Sequence, residues 1–296
     1  GYNNGSPGDG KGRLFVVNAA TGAVLRDIPT TAGSTATPSG MAKINVWVKA
    51  LSDNTAQRFY AGDLLGNLWR FDVDDLVAPK KGALLLARMQ DASGNAQPIT
   101  TEPKLREYDK QPIVAVATGR YLGRDGIDDT QVQSIAAIRD PLTATGWGVV
   151  RTSSAFKKVT IAKTGTTASG AAVTVDWATG GGWWADLPTG GERVAMPMEW
   201  DGARLLAVTT LPDGNQCKSG GASWLYSFGL AGGATKGEQY SPDTLIVGFS
   251  VVTTDDGKPK IIVRTSGNKT DVKDGTGLGG GTTIKRARRV SWRELN

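Results

Sequence analysis

One unit recurs along the chain, and it narrows the fold more than any other feature. Residues 12–22 read Gly12-Arg-Leu-Phe-Val-Val-Asn-Ala-Ala-Thr-Gly22, and residues 66–73 read Gly66-Asn-Leu-Trp-Arg-Phe-Asp-Val73. Superposed, Leu14 falls on Leu68, Phe15 on Trp69, Val17 on Phe71 and Asn18 on Asp72. Looser copies follow at Ser134–Ile138 and Ser223–Phe228. Each copy is a short apolar run ended by a polar or Gly turn, with the length and residue types of a β-strand. Repetition of such a unit is the mark of a propeller or another repeat architecture.

Further strands are expected between the copies, at Ile44–Ala50, Leu84–Met89, Pro112–Thr118, Trp147–Thr152, Ala172–Trp177, Arg193–Met196, Leu205–Thr210, Leu245–Val252 and Lys260–Thr265. Turn signals such as Asp91-Ala-Ser-Gly94 and Asp255-Asp256-Gly257 separate them, and the latter reads as a hairpin between Val251-Val252 and Ile261–Val263. Helix signals are confined to about a turn each, at Asp75–Val77 and Pro103–Tyr108. The pattern predicts an all-β chain of about eighteen strands, or roughly four to five blades of a modified β-propeller with loop insertions. The whole of 1–296 reads as one propeller domain fragment. Residues 266–283 read as a Gly-rich loop before a basic C-terminal strand. A propeller closes on itself to hide its sheet edges, so the first blades are expected outside this sequence. A β-sandwich or barrel with accidental repeats is the competing architecture.

Composition removes several function classes. The chain has no His and a single Cys, Cys217. Nucleophile systems that use His as the base are therefore excluded, and so are an internal disulfide and a Cys-based zinc site. No stretch approaches the roughly 18 apolar residues of a membrane span. The sequence opens in a Gly/Asn/Ser/Asp stretch with no basic leader or apolar h-region. Its net charge of +6 is densest at Lys285-Arg-Ala-Arg-Arg289 and Arg293. We read that cluster as a charged edge strand that resists aggregation rather than as a nucleic-acid site, because base-reading and stacking features do not accompany it.

The segment Tyr60-Ala-Gly-Asp-Leu-Leu-Gly-Asn-Leu-Trp-Arg-Phe-Asp72 resembles the most recognisable stretch of the PilC/PilY family of type IV pilus tip adhesins and assembly factors. Five further motifs follow the family's order. They are Gly10–Gly22, Thr118-Gly-Arg-Tyr-Leu-Gly123 with Gln133-Ser134, Gly182-Trp-Trp-Ala-Asp-Leu-Pro188, Cys217 ahead of Ser223-Trp-Leu-Tyr226, and Val290-Ser-Trp-Arg-Glu-Leu295. The resemblance implies the C-terminal propeller of a non-enzymatic protein that supports pilus assembly, counters retraction and attaches cells to host or abiotic surfaces. It also implies export through the periplasm to the cell surface, with minor pilins and the protein's own N-terminal part as partners.

The family's calcium loop, which precedes the Tyr-Ala-Gly-Asp stretch, is degenerate here. Calcium takes six to eight oxygens, several of them carboxylates. The matching segment Lys49-Ala-Leu-Ser-Asp-Asn-Thr-Ala-Gln57 keeps one carboxylate, Asp53, with Asn54 beside it, and puts Lys49 on an earlier ligand position. Tight calcium binding is not expected. The Asp-rich segments Asp125–Asp129, Asp271–Asp274 and Asp74-Asp75 read as solvated loops. Trp183 and Trp184 follow Gly180–Gly182. Neighbouring strand residues face opposite sides, so one ring is assigned to the core and the other is a candidate contact residue. Two alternatives to the adhesin reading stand: a purely structural docking module for minor pilins, and a quinoprotein-like propeller dehydrogenase. The dehydrogenase is suggested by Gly-x-Leu-Phe-x-Val-Asn-x-x-Thr-Gly at Gly12–Gly22 but requires calcium and a bound quinone.

Overall fold

A computed structural model describes residues 2–50, 52–121, 126–213, 220–241, 244–255 and 258–274. Among them there is no α-helix, and the strands gather into one hairpin and four larger sheets. β1 (Arg13–Val17) and β2 (Val24–Pro29) form the hairpin. Blade 1 is an antiparallel meander of β3 (Ile44–Ala50), β4 (Asp53–Gly62), β5 (Asn67–Asp72) and β6 (Ala83–Arg88). Blade 2 begins with the meander β7 (Lys104–Tyr108), β8 (Gln111–Ala117) and β9 (Ser134–Arg139). It is completed by two strands from further along the chain: β10 (Phe156–Val159), and β13 (Gly182–Asp186), which lies between β9 and β10 and runs parallel to β10. Blade 3 is the meander β14 (Glu199–Asp201), β15 (Arg204–Pro212), β16 (Gly221–Gly229) and β17 (Thr235–Ser241). Onto its outer strand an inserted hairpin is added, β11 (Ala162–Thr164) with β12 (Thr167–Gly170). β18 (Ile246–Thr253), β19 (Pro259–Thr265) and β20 (Thr270–Asp274) make blade 4. The first strands of neighbouring blades lie together, β3 by β7 and β14 by β18, which puts them on the inner side of a four-blade propeller arrangement.

The period-2 alternation of each strand explains how the blades stack. In β5, Leu68 points to blade 2 while Trp69 and Phe71 point back to the hairpin. In β8 and β9, Val114, Val116, Ala136 and Ile138 meet blade 1, while Ala115, Ala117, Ile135 and Ala137 meet blade 3. In β16, Trp224, Tyr226 and Phe228 meet blade 2, while Leu225 meets Ile261 and Val263 of blade 4. Leu14 faces blade 1 from the hairpin. Leu14 and Leu68, superposed by the sequence repeat, and Ile135 and Leu225 of its two looser copies thus each lie buried and face the next blade.

The repeat's turn residues are equivalent as well. Asn18 Oδ1 accepts the Ala20 and Thr21 N–H groups, and the Asp72 carboxylate accepts those of Asp75, Val77 and Lys81. Each closes the turn after the strand that carries the repeat. The Tyr60–Asp72 motif is held by a second clamp. Asp63 accepts Leu65 N–H, Asn67 N–H, Asn67 Nδ2 and Trp69 Nε1, all at 2.8–2.9 Å. Gly66 between them has φ +74°, and a Cβ there would lie 2.4 Å from the Met89 carbonyl oxygen. Motif glycine, aspartate, asparagine and tryptophan are therefore one turn.

Several expected elements differ. Pro103–Tyr108 has helix-forming residues, yet Lys104–Tyr108 is strand β7, paired to β8 through Asp109 and Lys110, both at positive φ. A two-residue turn of that hand matches strand twist, and the cross-strand pairing overrides local propensity. Asp75–Val77 is a bend. Trp147–Thr152 is a strap, not a sheet strand: it runs from β9 back along β6, with Trp147 N–H on Leu86 O, and Val149 bridging Arg88 in parallel. Ala172–Trp177 is irregular, tied by Val173 N–H to Gly232 O and Trp177 Nε1 to Ala231 O. Arg193–Met196 keeps only a bridge from Arg193 to Thr210. Residues 270–274, expected within the Gly-rich loop over 266–283, form β20. The basic cluster at 285–293, the motif at 290–295, Cys217, Asp125 and Gly275–Gly281 lie outside the described residues.

Stacking of this kind makes a sharp distinction between forward-facing and end residues. Leu225→Ala, which opens a cavity between blades 3 and 4, is expected to cost about 2–5 kcal/mol in urea unfolding. Val272→Ala on the exposed face of β20 is expected to stay within about 0.5 kcal/mol of the parent.

Candidate docking scaffold and its interblade joints

The first candidate site is the Trp183-Trp184 pair, and its alternation is as expected while its exposure is not. Trp183 faces blade 3 with no exposed surface, stacks on Phe228 at 5.8 Å between ring centroids, and donates Nε1–H to Leu230 O. Trp184 faces blade 1 and is only 5% exposed. The Arg151 guanidinium lies 4.3 Å from its ring centroid, and Lys158 Nζ 5.2 Å. Neither ring is a surface contact, because β13 is covered on both sides. The Gly before the pair serves a close approach: Gly182 has φ +128°, and a Cβ there would lie 2.0 Å from Ala137 O on β9. It does not present the rings to solvent.

The second candidate, Asp53 with Asn54, sits at the tip of the β3–β4 hairpin. Asp53 Oδ1 accepts the Thr55 hydroxyl at 2.5 Å and the Thr55 N–H at 3.0 Å, while Lys49 Nζ stands 3.3 Å from Oδ2. The Thr55 hydrogen bonds, with Lys49, hold this carboxyl below the usual aspartate range. Asn54 is exposed. The carboxylate thus already has a hydroxyl, an amide and an ammonium group around it. Among the described residues, no group of three or more His, Cys, Asp or Glu side chains is gathered at one point.

Polar groups that sequence reasoning did not single out occupy the seams between blades. Arg70 on β5 and Asp140, just past β9, form an ion pair at 2.5 Å with both side chains fully buried. Tyr60 donates its hydroxyl to the same carboxylate at 2.7 Å, and Arg70 Nη2 reaches the Ala78 and Thr143 carbonyls. Burial, reinforced by the Asp140 charge, pushes the Tyr60 hydroxyl well above its ordinary pKa, so it remains a donor. At the second seam component, Asp186 on β13 accepts Ser134 Oγ at 2.8 Å and Arg151 Nη1 at 3.1 Å. Arg151 comes from the strap and also donates to Gln90 O. Burial acts to raise the Asp186 pKa, but the bonds from Arg151 and Ser134 and the charge of Lys158 outweigh it and leave it lowered. Its stabilising contribution is therefore present above the ordinary carboxylate range and fades as pH falls through the lowered value.

Between blades 2 and 3 lies Glu192, fully buried. It accepts Thr209 Oγ1 at 2.6 Å, Lys163 Nζ at 2.8 Å and Tyr226 OH at 3.1 Å. Lys163 comes from the inserted hairpin and stands 4.0 Å from the Trp224 ring centroid. Arg193 beside it is buried and donates to the Gly191, Arg120, Gly126 and Asp129 carbonyls, so it pins the loop before β9 by its backbone. In each joint the acid's oxygens are taken up by donors from other elements. This arrangement locks blades in register. A faint sequence signal existed, since Arg70 and Arg139-Asp140 interrupt or end otherwise apolar strands.

The family model of the PilY1 beta-propeller domain matches residues 1–160. A type IV pilus biogenesis factor PilY1 homolog of Xylella fastidiosa is 29% identical over 96% of this chain, and type IV pilus biogenesis factor PilY1 of Pseudomonas aeruginosa is 28% identical over 73% of it. The chain spans 24% and 22% of the lengths of these two relatives. The solved C-terminal domain of Pseudomonas aeruginosa PilY1 superposes with a TM-score of 0.71 at 23% identity, covering 90% of this chain and 66% of that one.

Two measurements check these assignments. Asp140→Ala leaves Arg70 buried without its carboxylate and is expected to cost about 3–5 kcal/mol in chemical denaturation. Titration calorimetry with calcium is expected to show no site tighter than about 10 µM. Asp53→Ala is expected to leave that trace unchanged.

Proposed function

The chain belongs to the PilY1 beta-propeller domain family, and on that premise we propose that it is a non-enzymatic attachment scaffold of the type IV pilus, exported to the cell surface, where it promotes pilus assembly and adhesion. The observation that carries this reading is the match to a pilus biogenesis factor homolog along 96% of the chain. The structure supports it in kind. The carboxylates of the interblade joints are saturated by hydrogen bonds, which suits a rigid platform whose outer surfaces meet partners. With a net charge of +6, the chain is suited to dock on acidic surfaces of minor pilins, an association weakened by salt. Calcium is not assigned a role at Asp53 and Asn54, where Lys49 already neutralises the carboxylate.

Co-precipitation of the chain with minor pilins from the same cells tests the proposal. Retention is expected to fall as salt rises from about 0.1 M to about 1 M, over which the screening length shortens from ~10 Å to ~3 Å. Cells lacking the protein are expected to lose surface pili and attachment. Normal piliation in those cells would overturn the assembly role. Dye reduction by the chain supplied with calcium and a quinone would overturn the non-enzymatic reading.

A further inference from the structure

Two connections that follow third strands, residues 73–82 after β5 and 140–146 after β9, emerge at the same end of neighbouring blades. One nitrogen joins them there: Arg70 Nη2 donates to Ala78 O of the first at 2.5 Å and to Thr143 O of the second at 2.6 Å. Each connection is also held from within. Asp72 gathers the N–H groups of Asp75, Val77 and Lys81, and Asp140 accepts Leu142 N–H at 2.9 Å while it pairs with Arg70. The buried joint between blades 1 and 2 therefore ends in a fixed surface made by both blades.

That surface presents side chains unsuited to water. Leu76 is 69% exposed, more than any other large apolar residue described, and Leu142 is 40% exposed. Leu142 also has φ +53°, a backbone region that suits Gly or Asn and strains a leucine. The turn alone calls for Gly or Asn, and the solvent calls for a polar group; leucine meets neither requirement. Local rules broken together, at a position that the surrounding structure fixes, mark a functional contact. Apolar groups carried on an immobilised backbone cost little further ordering on binding, which is what a docking anchor needs.

Charge at the rim decides the kind of partner. Arg26 reaches from the hairpin to Val73 O, and Lys80 and Lys81 are exposed. Of the nearby acids, Asp75 is paired with Lys81 at 3.0 Å, and Asp74 Oδ1 accepts Leu76 N–H. Cations are thus in excess around the leucines. A second copy of a chain with net charge +6 would bring like charges together here. We propose that Leu76 and Leu142 form a two-blade docking surface for an acidic protein partner, which lays an apolar side chain on the leucines and sets carboxylates against Lys80 and Arg26. This inference rests on the pilus docking proposed above and gives it a place on the propeller.

Binding of purified soluble domains of the minor pilins to the natural full-length protein, followed by surface plasmon resonance, tests the proposal. Leu76→Ser combined with Leu142→Asn is expected to weaken binding on the order of tenfold. Leu76→Met is expected to retain it. Asn suits the positive φ, so Leu142→Asn alone is expected to unfold at the same or a higher urea concentration than the parent, which separates lost contact from lost folding. Lys80→Glu is expected to slow association and flatten its salt dependence. Equal binding by the parent and the double leucine variant overturns this surface and leaves pilus docking standing. No binding by the parent overturns both. Undiminished association of Lys80→Glu overturns the acidic partner. Self-association of the parent that the leucine variants abolish overturns it in favour of a second copy.

Discussion

The central sheets of this molecule are apolar on both faces, and a sheet of that kind cannot meet water on either. Each blade is therefore held by its neighbours rather than by itself. Hydrogen bonds run within a blade, while the seams between blades are made of side chains: Leu68 and Val114 at one, Ala137 and Tyr226 at the next, Leu225 and Ile261 at the third. Burial of this sort is nondirectional and scales with apolar area. It favours stacking but leaves the blades free to slide. The buried polar joints supply direction, because Arg70 with Asp140, and Arg193 with both Thr210 of blade 3 and the loop before β9, satisfy one another only in one register.

The legible part of the fold came from alternation and from turn chemistry. Leu14 and Leu68 could be superposed, and Ile135 and Leu225 placed in looser copies, because each stands at the same place in a third strand, and Asn18 and Asp72 because each closes the following turn. The Trp183-Trp184 assignment shows the limit of the same signal. A period of two says that adjacent rings point to opposite sides, and they do, but it cannot say whether both sides are covered. That is decided by Phe228 and Leu230 on one side and Arg151 on the other, each more than thirty residues away. Lys104–Tyr108 failed in a related way: its residues favour a helix, and only pairing with Gln111–Ala117 makes it a strand.

The joints were illegible for a plainer reason. Tyr60 and Asp140 are eighty positions apart, and Arg70 and Asp140 seventy. Nothing local marks a carboxylate that will be buried, since Asp140 follows Arg139 in what reads as an ordinary polar turn. The structure also splits blade 2 in the sequence: β13 returns after a strap and a hairpin that belongs to blade 3. Blade spacing along the chain is stretched by that excursion, which is why the repeat cores lie farther apart than those of a compact propeller.

That excursion also gives the scaffold its cohesion. The strap at 147–151 leaves blade 2, aligns beside β6 of blade 1 and delivers Arg151 to Asp186 back on blade 2, so one segment ties two blades twice. The β11–β12 hairpin crosses the next seam by its backbone: it follows β10 of blade 2, joins the outer strand of blade 3 and sends Lys163 to Glu192 in the connection between the two blades. Separating neighbouring blades thus requires breaking backbone pairing as well as side-chain packing. A body built in this way transmits load across its seams through covalent and hydrogen-bonded links, and its buried acids serve those links. The chemistry available to partners is therefore that of its surfaces and open strand edges.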